Sequence, residues 1–249
     1  MTLLVRGFSR ADVSVILCAV KNPAPLAIGG LARVCSVTIL SGVLLFLLAG
    51  TVAWPAAWIY MTIVTAVIVV YSTIVFTCHP DLIEERKRPP ADAKAWDKPF
   101  VAVVAGVGPL GLFALCGLDH RFRWSPPTSV AVTVAGLLLV AAGGALSNYA
   151  VLHNRFFSAI VRIQRDRGHR VIDTGPYRFV RHPGYVGSIL HMFGTALALG
   201  SLWAILLAAM VSLVLGVRTA LEDRALQAEL EGYAGYATHV RYRLIPWVW

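Results

Sequence analysis

Residues 173–187 read DTGPYRFVRHPGYVG and set Tyr177, Arg178, Arg181, His182 and Tyr185 at the head of a long apolar run. Gly168, Gly175 and Gly184 permit sharp turns or close backbone approach. Pro176 and Pro183 fix φ and push the residues before them towards extended conformations. Such a segment is a shaped loop whose backbone N–H and C=O groups are left to meet a ligand. Tyr177, Tyr185 and the ring of His182 would form its aromatic and hydrogen-bonding walls. A rigid interfacial collar, with tyrosines anchored at headgroup level, fits the same residue types.

A second constellation, RTALED, places Arg218 and Glu222 four residues apart on one face of a helix leaving the membrane. An ordinary i,i+4 ion pair satisfies that spacing. It also allows a division of labour. Arg218 at the membrane boundary could hold the anionic group of a lipid-borne substrate, and Glu222, one turn further out, a cation on a water-soluble cofactor. Asp223 and Arg224 are expected to point elsewhere.

Other motifs carry less. The stretch GVGPLG from Gly106 to Gly111 satisfies GxGxxG, but it lies in a charge-free span with no strand before it, which argues against a dinucleotide site. His169, His182 and His191 lack the i,i+4 spacing of a metal pair, so no metal site is expected. There is no GxSxG nucleophile motif. Cys18, Cys35, Cys78 and Cys116 form no CxxC pair and read as small buried residues.

The elements that must position these groups are apolar. The chain is 57% hydrophobic and 14% charged, with a mean hydropathy of +0.70, whereas soluble domains carry about 25% charged residues. Residues 36–77, 100–118, 125–154 and 183–217 contain no Asp, Glu, Lys or Arg. A helix needs about 20 apolar residues to cross the hydrocarbon core, so the chain reads as an all-α integral membrane protein. Pro55 divides the first run. Gly200-Ser201 divides the last into a hairpin, Tyr185–Leu199 then Leu202–Ala220, giving five or six transmembrane helices. Residues 1–147 are expected to form an N-terminal membrane region of about four of them, and residues 148–249 a second region of loop, helical hairpin, C-terminal helix and tail.

Charge sets the expected orientation. The loop Asp81–Lys98 carries five basic and five acidic residues and reads as a solvated connector. That loop and the arginines from Arg155 to Arg181 hold the Lys and Arg excess that marks the cytoplasmic side. Both termini and the opening motif are therefore expected to face the cytosol. The net charge of +9 points to anionic lipid headgroups, not nucleic acid. Met1–Val34 reads as an interfacial amphipathic segment, with no cleavable signal peptide evident. Tyr233, Tyr236, Trp247 and Trp249 fit an interfacial aromatic belt.

The order HRVIDTGPYRFVRHPGY, helical hairpin, RTALED and a YxxY–V–LIP tail resembles the isoprenylcysteine carboxyl methyltransferase family over residues 148–249. NRFFSAIVRIQRDRGH and WDK resemble one subgroup of it. The resemblance implies an integral-membrane methyltransferase that binds S-adenosylmethionine in a cytosol-facing pocket and takes a lipophilic acceptor from the bilayer. By position, the cofactor would contact Gln164, His169, Arg170, Val171, Ile172, Tyr177, His182, Pro183, Gly184, Tyr185 and Glu222. Arg218 falls where the family has its substrate-carboxylate arginine, the expected catalytic and substrate-binding residue. The chain departs from the pattern in the short stretch between Gln164 and His169, and in Asp223, which stands where many members have a second Glu. Membrane sterol reductases share RHPxY but use NADPH, and commonly carry an acidic residue where this chain has Ser188. Phospholipid N- and thiol S-methyltransferases share the cofactor but use another nucleophile. A membrane scaffold would have no need for Arg218, Glu222 and the loop together.

Overall fold

A computed structural model describes residues 28–79, 82–83 and 93–249. Its helices are α1 Ile28–Ala49, α2 Pro55–Cys78, α3 Asp97–Phe122, α4 Val130–His153, α5 Pro183–Ala198, α6 Leu202–Glu229 and α7 Tyr233–His239. Among the described residues α2, α3, α4 and α6 are long and apolar enough to cross a membrane. The protein is an all-α integral membrane protein. Leu47, Leu138, Met210 and Leu213 are exposed, as lipid-facing residues on helices that are apolar all round. Residues 1–27 of the expected interfacial segment, and Arg86, Lys87 and Arg88 of the expected connector, lie outside the described residues. Residues 28–34 form the first turns of α1.

The breaks fall where backbone chemistry requires them. Pro55 opens α2, where its missing N–H has no helical partner to lose. Gly200 turns the chain between α5 and α6 at φ +73°, and the hydroxyl of Ser201 caps α6 by accepting from Ala204 N at 3.1 Å. The hairpin is less symmetric than expected. α5 has 16 residues, about 24 Å of helix, and stops short of a full crossing. α6 has 28 and runs unbroken past Ala220 to Glu229, carrying Arg218 and Glu222 outward on one rod.

α4 and α5 make the closest helix contact. A Cβ on Gly187 would stand 2.5 Å from Gly143 O, and one on Gly194 would stand 2.7 Å from Val140 N. Small residues let the backbones meet where lipid supplies no hydrophobic drive between helices. The hydroxyl of Ser147 then donates to Gly184 O at 2.9 Å, fixing the start of α5 against α4. The GVGPLG stretch is part of α3, which has a π-helical segment at Ala102–Val107. Its Gly108 and Gly111 admit Val211 and Leu207 of α6, so these glycines serve helix packing. Cys116 is buried in the core and Cys78 is half-buried.

At the end of α3 away from the loops of interest, Asp119 accepts from Ser125 N at 2.7 Å, Ser125 Oγ at 2.6 Å and Ser201 Oγ at 2.6 Å. This clasp ties α3 to the α5–α6 turn and so fixes the rod whose other end presents Asp97. The division expected between residues 147 and 148 falls inside α4. Continuous helix crosses it, and Asp97 from the first part reaches Arg218 in the second, so the two parts share one packed body.

Candidate active site

The loop between α4 and α5 is built around a fully buried Gln164. Its Nε2 donates to Phe156 O at 2.6 Å, its Oε1 accepts from Arg167 Nη1 at 2.6 Å, and its backbone N–H donates to His169 Nδ1 at 3.2 Å. A buried amide with its groups satisfied holds the loop's two limbs together. Further along, the Tyr177 hydroxyl donates to Ala150 O at 3.3 Å, and Tyr177 O accepts from the Tyr236 hydroxyl at 2.6 Å. Arg181 N and His182 N donate to Tyr242 O and Arg243 O at 2.9 and 3.0 Å, laying the C-terminal tail beside the entrance to α5.

These braces enclose a cavity of about 760 Å³, counting its open mouth. His169, Arg170, Val171, Ile172, Tyr177, His182, Gly184, Tyr185 and Glu222 all line it. The remaining candidates do not. Gln164 is the strut behind the wall, Pro183 is the buried first residue of α5, and Arg218 lies beneath the Tyr185 ring, its guanidinium carbon 5.3 Å from the ring centre. Sequence reasoning missed Phe156, Phe157 and Arg162 on the loop side, and Leu226, Leu230, Tyr233 and Tyr236 on the far wall. Leu226 and Leu230 could have been found from their spacing, one and two turns beyond Glu222. Tyr233 and Tyr236 are 5% and 8% exposed, which removes them from the expected aromatic belt; Trp247, at 87%, remains free to sit in one.

The charges resolve differently from an i,i+4 pair. Arg218 Nε and Nη2 donate to Asp97 Oδ1 and Oδ2 at 2.7 and 2.9 Å, and Nη2 also donates to Ala159 O at 2.8 Å. Asp97 Oδ2 accepts in addition from Val161 N at 2.7 Å. Asp97 is fully buried, so it is no part of a solvated connector; a buried guanidinium requires a paired carboxylate, and this is the one. Glu222 instead accepts from the Tyr185 hydroxyl at 2.5 Å. Asp223 is the hub of a second buried cluster, accepting from Arg181, Arg243, Tyr233 and Gln227, while Arg224 is exposed.

Two histidines line the cavity. His182 stacks nearly parallel to Tyr185, ring centres 5.6 Å apart, and its buried Nε2 has no hydrogen-bond partner, with Asp223 Oδ1 3.6 Å away. Burial, reinforced by Arg162 and Arg167, pulls the His169 imidazole down to about 4, so it stays neutral and keeps Nδ1 as an acceptor. No group of three His, Cys, Asp or Glu among the described residues could hold a metal ion. A cavity with apolar and aromatic walls and the Glu222 carboxylate in its lining suits a flat, partly cationic ligand.

Comparison with known proteins finds similarity to methyltransferases over part of the chain. The phospholipid methyltransferase family model matches residues 131–230. A probable protein-S-isoprenylcysteine O-methyltransferase of Oryza sativa subsp. indica is 36% identical over 69 residues, 27% of this chain and 36% of the relative. Part of the chain is thus similar both to phospholipid methyltransferases and to protein-S-isoprenylcysteine O-methyltransferases. The Schizosaccharomyces pombe member, a protein-S-isoprenylcysteine O-methyltransferase, is 37% identical over 65 residues, 26% of this chain and 28% of its own length. For the Arabidopsis thaliana protein-S-isoprenylcysteine O-methyltransferase B the figures are 31% over 65 residues, 26% and 33%. The chain spans about a third of the length of the curated family members it matches. The family region takes in nearly all of α4, the loop, the hairpin and α6, whereas Asp97, α7 and the tail complete the site from outside it.

Proposed function

We propose that the protein is a membrane methyltransferase that uses S-adenosylmethionine to methylate the carboxylate of a lipophilic acceptor, as the names of its relatives suggest. The observation that carries this reading is Glu222. Its carboxylate lines the cavity, is held by the Tyr185 hydroxyl, and stands one turn along the same helix from Arg218.

The residues present fit the cofactor. Glu222 and the rings of Tyr177 and Tyr185 suit a sulfonium. Val171, Ile172, Leu226 and Leu230 suit a purine face, and Arg162 and Arg170 suit a carboxylate. The His182 ring, stacked on Tyr185, adds a flat aromatic wall to the cavity. S-adenosylmethionine brings an electrophilic methyl group. The chain's own part is positioning: Arg218 orients the acceptor, Glu222 and Tyr185 fix the cationic end of the cofactor, and the loop with α7 excludes water. Together these effects are worth several kcal/mol. A carboxylate is already ionised at neutral pH, so no general base is needed.

The acceptor would reach Arg218 from the bilayer, because Leu213 and Val217 just before it on α6 are exposed on a lipid-facing surface. Lys98, Arg155, Arg165, Arg170 and Arg178 are exposed on the site's side, which supports placing it at the cytoplasmic face.

Isothermal titration of the detergent-purified protein with S-adenosylhomocysteine tests the reading, with NADPH as a parallel titrant and His182→Ala as control. Saturable binding of the nucleoside, weakened by the substitution, is expected. Binding of NADPH alone would move the protein to the membrane reductases.

A further inference from the structure

Arg218 is not an open cation. Its Nε and Nη2 are taken by both oxygens of Asp97, and Nη2 is shared with Ala159 O. Nη1 has no protein partner among the described residues. Asp97 is itself held: it is fully buried, accepts from Val161 N, and sits in the first turn of α3, whose other end is fixed by the Asp119 clasp. Ala159 and Val161 belong to the loop that forms the cavity rim, and the Tyr185 ring packs against the guanidinium. Nη1 is therefore the nitrogen left over, on a buried guanidinium held in a fixed orientation beneath the Tyr185 ring.

We infer that Asp97 is a positioning residue that leaves Arg218 a single donor edge, so that an acceptor carboxylate is held through one oxygen and attacks with the other. The inference rests on the methyltransferase reading above. A free guanidinium takes a carboxylate by two parallel N–H···O bonds. That would occupy both oxygens and stabilise the ground-state anion, which raises the barrier to its reaction. Sharing the guanidinium with Asp97 blocks the fork and offsets its charge. The second oxygen keeps its electron pair for the methyl carbon. As that bond forms, the carbon–sulfur pair returns to sulfur, so the carboxylate and the sulfonium both end neutral and no proton moves.

Asp97→Asn keeps the shape and removes the charge. The test measures KM and kcat with S-farnesyl-cysteine as acceptor probe, alongside titration with S-adenosylhomocysteine. The expected result is an acceptor KM lower by about threefold, as Arg218 grips the carboxylate more fully, a kcat lower by roughly tenfold or more, and unchanged nucleoside affinity. A KM that is unchanged or raised overturns the inference, because a merely structural Asp97 would not tighten acceptor binding. Should Asp97→Asn fail to fold, judged by gel filtration and nucleoside binding, Asp97→Glu keeps the charge and displaces it by one methylene. A loss of kcat with nucleoside affinity retained is then expected, and a wild-type kcat overturns the inference. Wild-type protein that binds the nucleoside but leaves the probe unmethylated removes the carboxylate acceptor, and this inference with it. Absence of nucleoside binding removes the methyltransferase reading itself.

Discussion

Arg181 and Asp223 meet through two hydrogen bonds, Nε to Oδ1 at 2.7 Å and Nη2 to Oδ2 at 2.9 Å, across 42 positions of sequence. Arg181 Nη1 goes on to donate to Val240 O at 2.8 Å and Arg241 O at 2.9 Å. One guanidinium thus joins the RHPGY loop, the outer end of α6 and the C-terminal tail, and both partners are buried. Removing one member of such a pair strands the other charge. Arg181→Ala is expected to destabilise the protein by roughly 3–5 kcal/mol, while Arg224→Ala, next to Asp223 but exposed, stays within about 0.5 kcal/mol. Thermal unfolding in detergent compares them, and equal midpoints would mean the hub does not anchor the tail.

Glu222 and Tyr185 divide charge from shape. If Glu222 meets a sulfonium, Glu222→Gln weakens S-adenosylmethionine about tenfold more than S-adenosylhomocysteine, which has no positive sulfur. Tyr185→Phe keeps the ring against Arg218 and His182, and is expected to weaken both ligands modestly and alike. Parallel titrations decide; equal losses for the two ligands in Glu222→Gln would place the sulfonium elsewhere.

Two glycines of similar helical setting should respond oppositely to a methyl group. A Cβ at Gly187 meets Gly143 O at 2.5 Å and Ser147 N at 2.6 Å, whereas one at Gly216 meets nothing within 4 Å. Gly187→Ala is expected to cost about 1–3 kcal/mol through forced separation of α4 and α5. Gly216→Ala should be neutral or stabilising by up to about 1 kcal/mol through helix propensity. Unfolding midpoints that fail to separate the two would argue against close α4–α5 contact.

His169 supplies a pH dependence with a definite sign. Its folded value, about 4, lies below the ordinary 6.5, so on acidification the unfolded chain takes up the proton first. The stability held in the neutral ring is complete above about pH 6.5 and is lost as pH falls from there towards about 4. Protonation also removes the Nδ1 acceptor used by Gln164 N. Denaturation midpoints at pH 7 and pH 4.5 should fall further in the wild type than in His169→Phe, and equal falls would show that this ring does not set the slope.

The sequence by itself was enough to place the helix breaks and most of one cavity wall. Pro55 and Gly200 act through their own backbone chemistry, an absent N–H and a positive φ, and need no distant partner to take effect. The long charge-free runs likewise admit little except helices in lipid. His169 to Ile172, Tyr177, His182, Gly184 and Tyr185 line one cavity because they are near neighbours on one braced loop, and Glu222 joins them from α6.

Only the tertiary structure decided what the charged groups are doing. Arg218 has Glu222 a turn away in sequence, yet its carboxylate partner is Asp97, 121 positions distant. Asp223 was expected to point away from the site and is instead buried beneath its wall, and Tyr233 and Tyr236 exchanged a place at the lipid interface for one against the loop. The physical reason is common to all of them. A chain's local pattern determines which segments leave water, but a buried charge or hydroxyl must find its counterpart across whichever helices dock beside it, and that docking is set by small-residue contacts such as Gly143–Gly187.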